Sequence, residues 1–143
     1  MFSHFFTRVY KKLSFEDIQF AMHNKDEFVI INTLPVTDQS CLIGNTISHV
    51  EEEQILNNLL TSYRLNQKII IYGKNNTDNT INTKYDQLMS LGFQVVYLYV
   101  GGMFEWLCLQ DIYGKEEFPT TTRELDIIKY KPPRTFGGYL LTR

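Results

Sequence analysis

The chain has 143 residues, with 14 lysines and arginines against 16 aspartates and glutamates, and its 43% hydrophobic and 14% aromatic content suffices for one packed core. No apolar run approaches the ~20 residues of a membrane-crossing helix, and two cysteines outside any C-x-x-C pair exclude a disulfide scaffold. The histidines His4, His23 and His49 lie far apart, so neither a metal nor a cofactor is expected.

The opening, MFSHFFTRVYKK, puts aromatics ahead of charges and offers no small-residue cleavage site, which predicts an intracellular, cytoplasmic protein. Three bases (Arg8, Lys11, Lys12) precede the first acid, Glu16, and four (Lys129, Lys131, Arg134, Arg143) follow the last, Asp126. Seven bases therefore face all sixteen acids in between, giving an acidic body with basic ends. That layout suits either an acidic partner or ends folded back on the body.

In chain order, Ser14 is placed to cap a first helix with Glu16 and Asp17 in its first turn and Ile18, Ala21 and Met22 on one face. Phe28 to Ile31 reads as a strand covered on both faces. The loop PVTDQS leads to a short apolar stretch, Cys41 to Ile43. Ser48 and Glu51 stand at capping-box spacing before a second helix, with Ile55, Leu56, Leu59 and Leu60 at helical spacing. Lys68 to Tyr72 is a second strand ending on Gly73. Ile81, Tyr85, Leu88 and Met89 mark a third helix stopped by Gly92. FQVVYLYV is a third strand, and GGMFEWLCLQDIYG a fourth helix between glycines. The remainder is irregular, because Pro132, Pro133 and the glycine pair at 137 and 138 forbid a long helix, yet it is richer in Tyr, Phe, Ile and Leu than a disordered tail.

Strands alternating with helices predict an α/β fold: a mostly parallel central sheet with helices on both faces. Working sites in such sheets lie outside the carboxyl ends of the strands, which directs attention to the loops beginning at Asn32, Gly73 and Val100. Cys41 and Cys108 are each expected to be buried, unreactive thiols.

From Val9 to Gly114 the order of pieces resembles the rhodanese homology domain, a three-layer sandwich found in sulfurtransferases and in dual-specificity phosphatases of the cell-cycle type. The most specific segment is LMSLGFQVVYLYVGGMFEWL. There Leu88, Gly92, Phe93, Val96, Leu98, Gly101, Gly102, Phe104 and Trp106 stand where that family has them. CLIGNTIS is similar to the family's Gly-His-Ile-Pro-Gly-Ala-Ile-Asn stretch, with Ile43 and Ile47 matching and Leu42 in place of histidine. Where the family's first central strand usually ends in Asp-Val-Arg, this chain has Asn32, Thr33 and Leu34. The resemblance implies a rhodanese-like domain over residues 1–118 and a C-terminal extension over 119–143, packed on the domain or on a partner.

Active relatives deliver a cysteine at the end of the strand matching Ile69 to Tyr72, into a loop of backbone N–H groups that cradles an anion; the thiolate is the nucleophile. Here that place is Gly73. The phosphatase form also needs an arginine where this chain has Asn79, with Asp78 beside it, and a carboxylate in an anion cradle repels an incoming anion. The resemblance thus implies a degenerate loop, Gly73, Lys74, Asn75, Asn76, Thr77, Asp78 and Asn79, and no covalent catalysis. The expected function is that of a non-catalytic structural or adaptor subunit. Its partner is a protein, with an acidic surface such as that of a cytoskeletal polymer or other large assembly fitting the charge layout. Neither a membrane nor nucleic acid is expected, the body being acidic without an aromatic and basic stripe. Lys129, Lys131, Arg134, Phe136, Tyr139 and Arg143 are the candidate partner-binding residues. Two alternatives stay open: a sulfurtransferase using Cys41 as a displaced nucleophile, and a non-covalent anion sensor using Lys74 and the loop amides.

Overall fold

A computed structural model describes residues 9–137. The elements are β1 (Lys12–Leu13), α1 (Phe15–Met22), β2 (Phe28–Asn32), α2 (His49–Thr61), β3 (Lys68–Tyr72), α3 (Thr80–Ser90), β4 (Val95–Tyr99) and α4 (Gly102–Tyr113). The strands form one parallel sheet in the order β1-β4-β3-β2. Side chains alternate across it. Ile30, Ile70, Tyr72 and Tyr99 face a core shared with α1 and α4, while Ile31, Ile69, Ile71, Val96 and Leu98 face α2 and α3. The result is the expected three-layer α/β sandwich. No helix among the described residues is long and apolar enough to cross a membrane.

β1 is absent from the reading of the sequence. Two residues, one of them a lysine, carry no strand periodicity; their conformation comes from pairing, with Leu98 N–H donating to the Lys11 carbonyl at 2.8 Å. The helix starts follow their local chemistry. The Asp17 carboxylate accepts from Ser14 N–H at 2.9 Å, and Ser48 Oγ accepts from Glu51 N–H at 3.3 Å. α2 ends less comfortably. Tyr63 follows it at φ +58°, 86% exposed, while Arg64 N–H reaches back to the Leu59 carbonyl at 2.9 Å. A side chain in this left-handed conformation costs about 1–2 kcal/mol, so Tyr63→Gly is expected to stabilise the protein by roughly 1 kcal/mol in urea unfolding.

The chain beyond α4 closes the core on the α1 and α4 side. The Phe118 ring packs edge-on to Trp106, with centroids 5.0 Å apart, and the Pro119 carbonyl accepts from Trp106 Nε1–H and Gly44 N–H, both at 3.0 Å. Thr121 N–H donates to the Leu42 carbonyl at 2.8 Å and its Oγ1 accepts from Leu42 N–H at 3.0 Å, beside an antiparallel bridge between Ile43 and Thr120. A 3-10 turn, Ile127–Tyr130, then packs on α4 and buries Tyr130 completely.

Candidate functional site

The carboxyl ends of β2, β3 and β4 bring together Thr33, the loop after Tyr72 and the start of α4. Gly73 is buried, and its carbonyl accepts from Met103 N–H at 2.9 Å; the Lys74 carbonyl accepts from Phe104 N–H at 2.8 Å. The loop backbone is thereby tied to the first turn of α4. Gly102 makes the approach possible, at φ +66° and with backbone atoms of residues 73–75 where a Cβ would stand.

Within the loop, Asp78 organises the donors. Its Oδ2 accepts from Lys74 N–H at 2.9 Å, and its Oδ1 accepts from Thr80 N–H at 3.0 Å and from the Thr80 hydroxyl at 2.6 Å. Because Thr80 gives its only hydroxyl proton to Asp78, the 2.7 Å contact between Thr80 Oγ1 and Thr33 Oγ1 has Thr33 as donor. Asn75 Oδ1 in turn accepts from the N–H and hydroxyl of Thr77, at 2.9 and 2.7 Å. Asn75 is buried, whereas Asn76, Thr77 and Asn79 are exposed and Lys74 is half-buried. The expected repulsion by Asp78 therefore takes a more direct form: the carboxylate itself receives the N–H groups of Lys74 and Thr80.

Tyr130 joins the C-terminal segment to this loop, since Asn75 Nδ2–H donates to the Tyr130 carbonyl at 2.8 Å. Lys129 Nζ pairs with Glu124 at 2.6 Å and lies 3.7 Å from Asp38, on the loop after β2. Hydrogen bonding to Glu124 raises the Lys129 pKa, and the same contact lowers that of Glu124. Of the residues assigned to a partner, Lys129 is thus engaged within the chain. Lys131, Arg134 and Phe136 are exposed, Phe136 by 89%; Tyr139 and Arg143 lie outside the described residues.

Cys41 is buried in the core on the α1 and α4 side, with Sγ donating to the Thr122 carbonyl at 3.3 Å. Cys108 is only half-buried, against the expectation of a core thiol, because it lies off the α4 face formed by Met103, Trp106 and Leu107. Burial, then the nearby Asp111 and Glu105, raises its pKa and disfavours the thiolate. The tyrosines under the site also hold their protons. Burial raises the pKa of Tyr72, outweighing its hydrogen bonds with Thr46 and Ile43, and burial together with the bond to Glu105 raises that of Tyr99. Tyr72 Oη accepts from Ile43 N–H at 3.1 Å and lies 2.8 Å from Thr46 Oγ1. Tyr72→Phe leaves that buried N–H unpaired and is expected to cost about 1–3 kcal/mol in urea unfolding.

Thr80 and Tyr130 escaped the reading of the sequence, and Thr33 entered it only as a departure from the Asp-Val-Arg that usually ends the first central strand. A usable signal existed for one of them: Asn75-x-Thr77 and Asp78-x-Thr80 are two successive short polar side chains followed two residues on by threonine, the pattern of side chains turning back to bond the nearby backbone.

No protein-family model matches the chain, and no curated protein matches it by sequence. Solved structures do. The crystal structure of the Alr3790 protein from Anabaena sp. is 16% identical, with 82% of this chain and 86% of that one covered at a TM-score of 0.57. The solution structure of the rhodanese-like domain of Alr3790 is 18% identical, covering 89% and 88% at a TM-score of 0.55. The BH2092 protein from Bacillus halodurans is 15% identical, covering 91% and 96% at 0.55. At such identities the likeness reaches the backbone and leaves the chemistry to this chain's own residues: the fold is rhodanese-like.

Proposed function

We propose that the protein is a non-catalytic rhodanese-like domain that works by binding another protein, as an adaptor or structural subunit. The observation that carries this reading is Gly73: the residue delivered by β3 into the loop has no side chain and so no nucleophile. Cys41 does not compensate, being buried with its thiol proton given to a backbone carbonyl. Lys131, Arg134 and Phe136 offer two cations and an aromatic ring to solvent in one short segment, a composition suited to an acidic protein surface.

The purified protein is expected to show no sulfur transfer from thiosulfate to cyanide; turnover that disappears in Cys41→Ser overturns the proposal. On the binding side, a protein recovered with the wild type is expected to be lost with Lys131→Glu/Arg134→Glu/Phe136→Ser while the variant's unfolding free energy stays within about 0.5 kcal/mol of wild type, as exposed substitutions normally do. An unchanged set of recovered proteins removes this segment as the binding surface.

A further inference from the structure

Asp78 and Gly73 contend for one volume. A Cβ built on Gly73 meets Asp78 Oδ2 well inside van der Waals contact, with Asp78 Cγ at 3.0 Å and Thr33 Oγ1 at 2.9 Å. The backbone is not the obstacle, since Gly73 is not among the residues at positive φ. Nor is Asp78 free to swing aside. Both of its oxygens are committed, one to Lys74 N–H and the other to the N–H and hydroxyl of Thr80, whose oxygen is in turn held by Thr33. A rotation that admitted a side chain at 73 would break at least one of these bonds inside a partly buried loop.

We propose that the Asp78 carboxylate is an internal occupant of the loop after β3, and that Gly73 and Asp78 form one coupled pair. The carboxylate fills the space that a side chain at position 73 would take, and it accepts from loop N–H groups that an outside anion would otherwise draw on. The pair is an intrasteric contact built into the fold. It makes the loop closed twice over: a nucleophile cannot be restored at 73 by one substitution, and a sulfate or phosphate meets a resident negative charge. The inference goes beyond the binding role proposed above, and each can fail without the other, because it concerns the loop alone.

A double-mutant cycle reads the coupling. Gly73→Ala is expected to raise the unfolding equilibrium constant at least tenfold in the wild-type background, and by a factor at least fivefold smaller in Asp78→Ala, measured by urea denaturation at constant slope. If Asp78→Ala does not fold, Asp78→Ser replaces it in the cycle. Equal effects of Gly73→Ala in the wild type and in the truncated background overturn the proposal. So does a saturable thermal shift of the wild type by millimolar sulfate, compared with chloride at the same ionic strength, that is retained in Lys74→Ala and lost in Lys74→Pro, since it would place an outside anion on the N–H that Asp78 is said to hold.

Discussion

A chain ending at Pro119 is expected not to fold. Trp106, whose Nε1–H donates to the Pro119 carbonyl, would sit beneath a frayed end, and the fully buried Tyr130 would be gone from the core it shares with Ile70, Tyr72 and Tyr99. Removing one buried aromatic side chain costs about 3–5 kcal/mol, and total stability is only about 5–15 kcal/mol. The truncation also leaves the N–H and carbonyl of Leu42, the Asn75 amide and the Cys41 thiol without their partners. Near-ultraviolet circular dichroism and urea unfolding should show no cooperative transition. A chain ending at Lys131 retains these contacts and should unfold cooperatively, with a midpoint close to that of the full chain. If the shorter chain is as stable as the longer one, the segment after Pro119 is not part of the core.

Gly102→Ala is the point substitution with the largest expected effect. The residue sits at φ +66°, and a Cβ there would stand 2.6 Å from the Gly73 carbonyl oxygen, 2.9 Å from Lys74 C and 3.0 Å from Asn75 N. All three are backbone atoms, which cannot turn aside as a flexible side chain does. The unfavourable conformation contributes about 1–2 kcal/mol and the overpacking a further 1–3, so a loss of about 3 kcal/mol or more is expected in urea unfolding. A loss no greater than about 1–2 kcal/mol, the conformational part alone, would show that the close approach of α4 to the loop contributes nothing.

The layered fold was legible because each layer has a local cause. Ser14 and Ser48 mark helix starts through groups three residues away, and the run Ile69 to Ile71 is apolar because both faces of β3 are covered. What the sequence could not disclose depends on partners distant along the chain. Lys12 and Leu13 become a strand only because β4 offers them an edge. The C-terminal segment looks irregular by composition and is irregular, yet its hydrogen bonds run to Ser40, Leu42, Gly44 and Asn75, and no local pattern announces that. At the site, Gly73 drew attention through its place after the strand and through resemblance. The part played by Asp78 was half legible: its charge argued against an incoming anion, but its geometry, spanning Lys74 and Thr80, required the fold.

The bond from Asn75 to Tyr130 has a bearing on covalent modification. Asn75-Asn76-Thr77 has the Asn-x-Thr form that oligosaccharyltransferases accept, and the nitrogen they would modify is the one that donates to the Tyr130 carbonyl in a buried contact. A sugar there and a seated Tyr130 are mutually exclusive. In a host cell that glycosylates secreted chains, glycan on Asn75 would mark molecules intercepted before the C-terminal segment had closed, so occupancy of this one site would report how fast closure occurs.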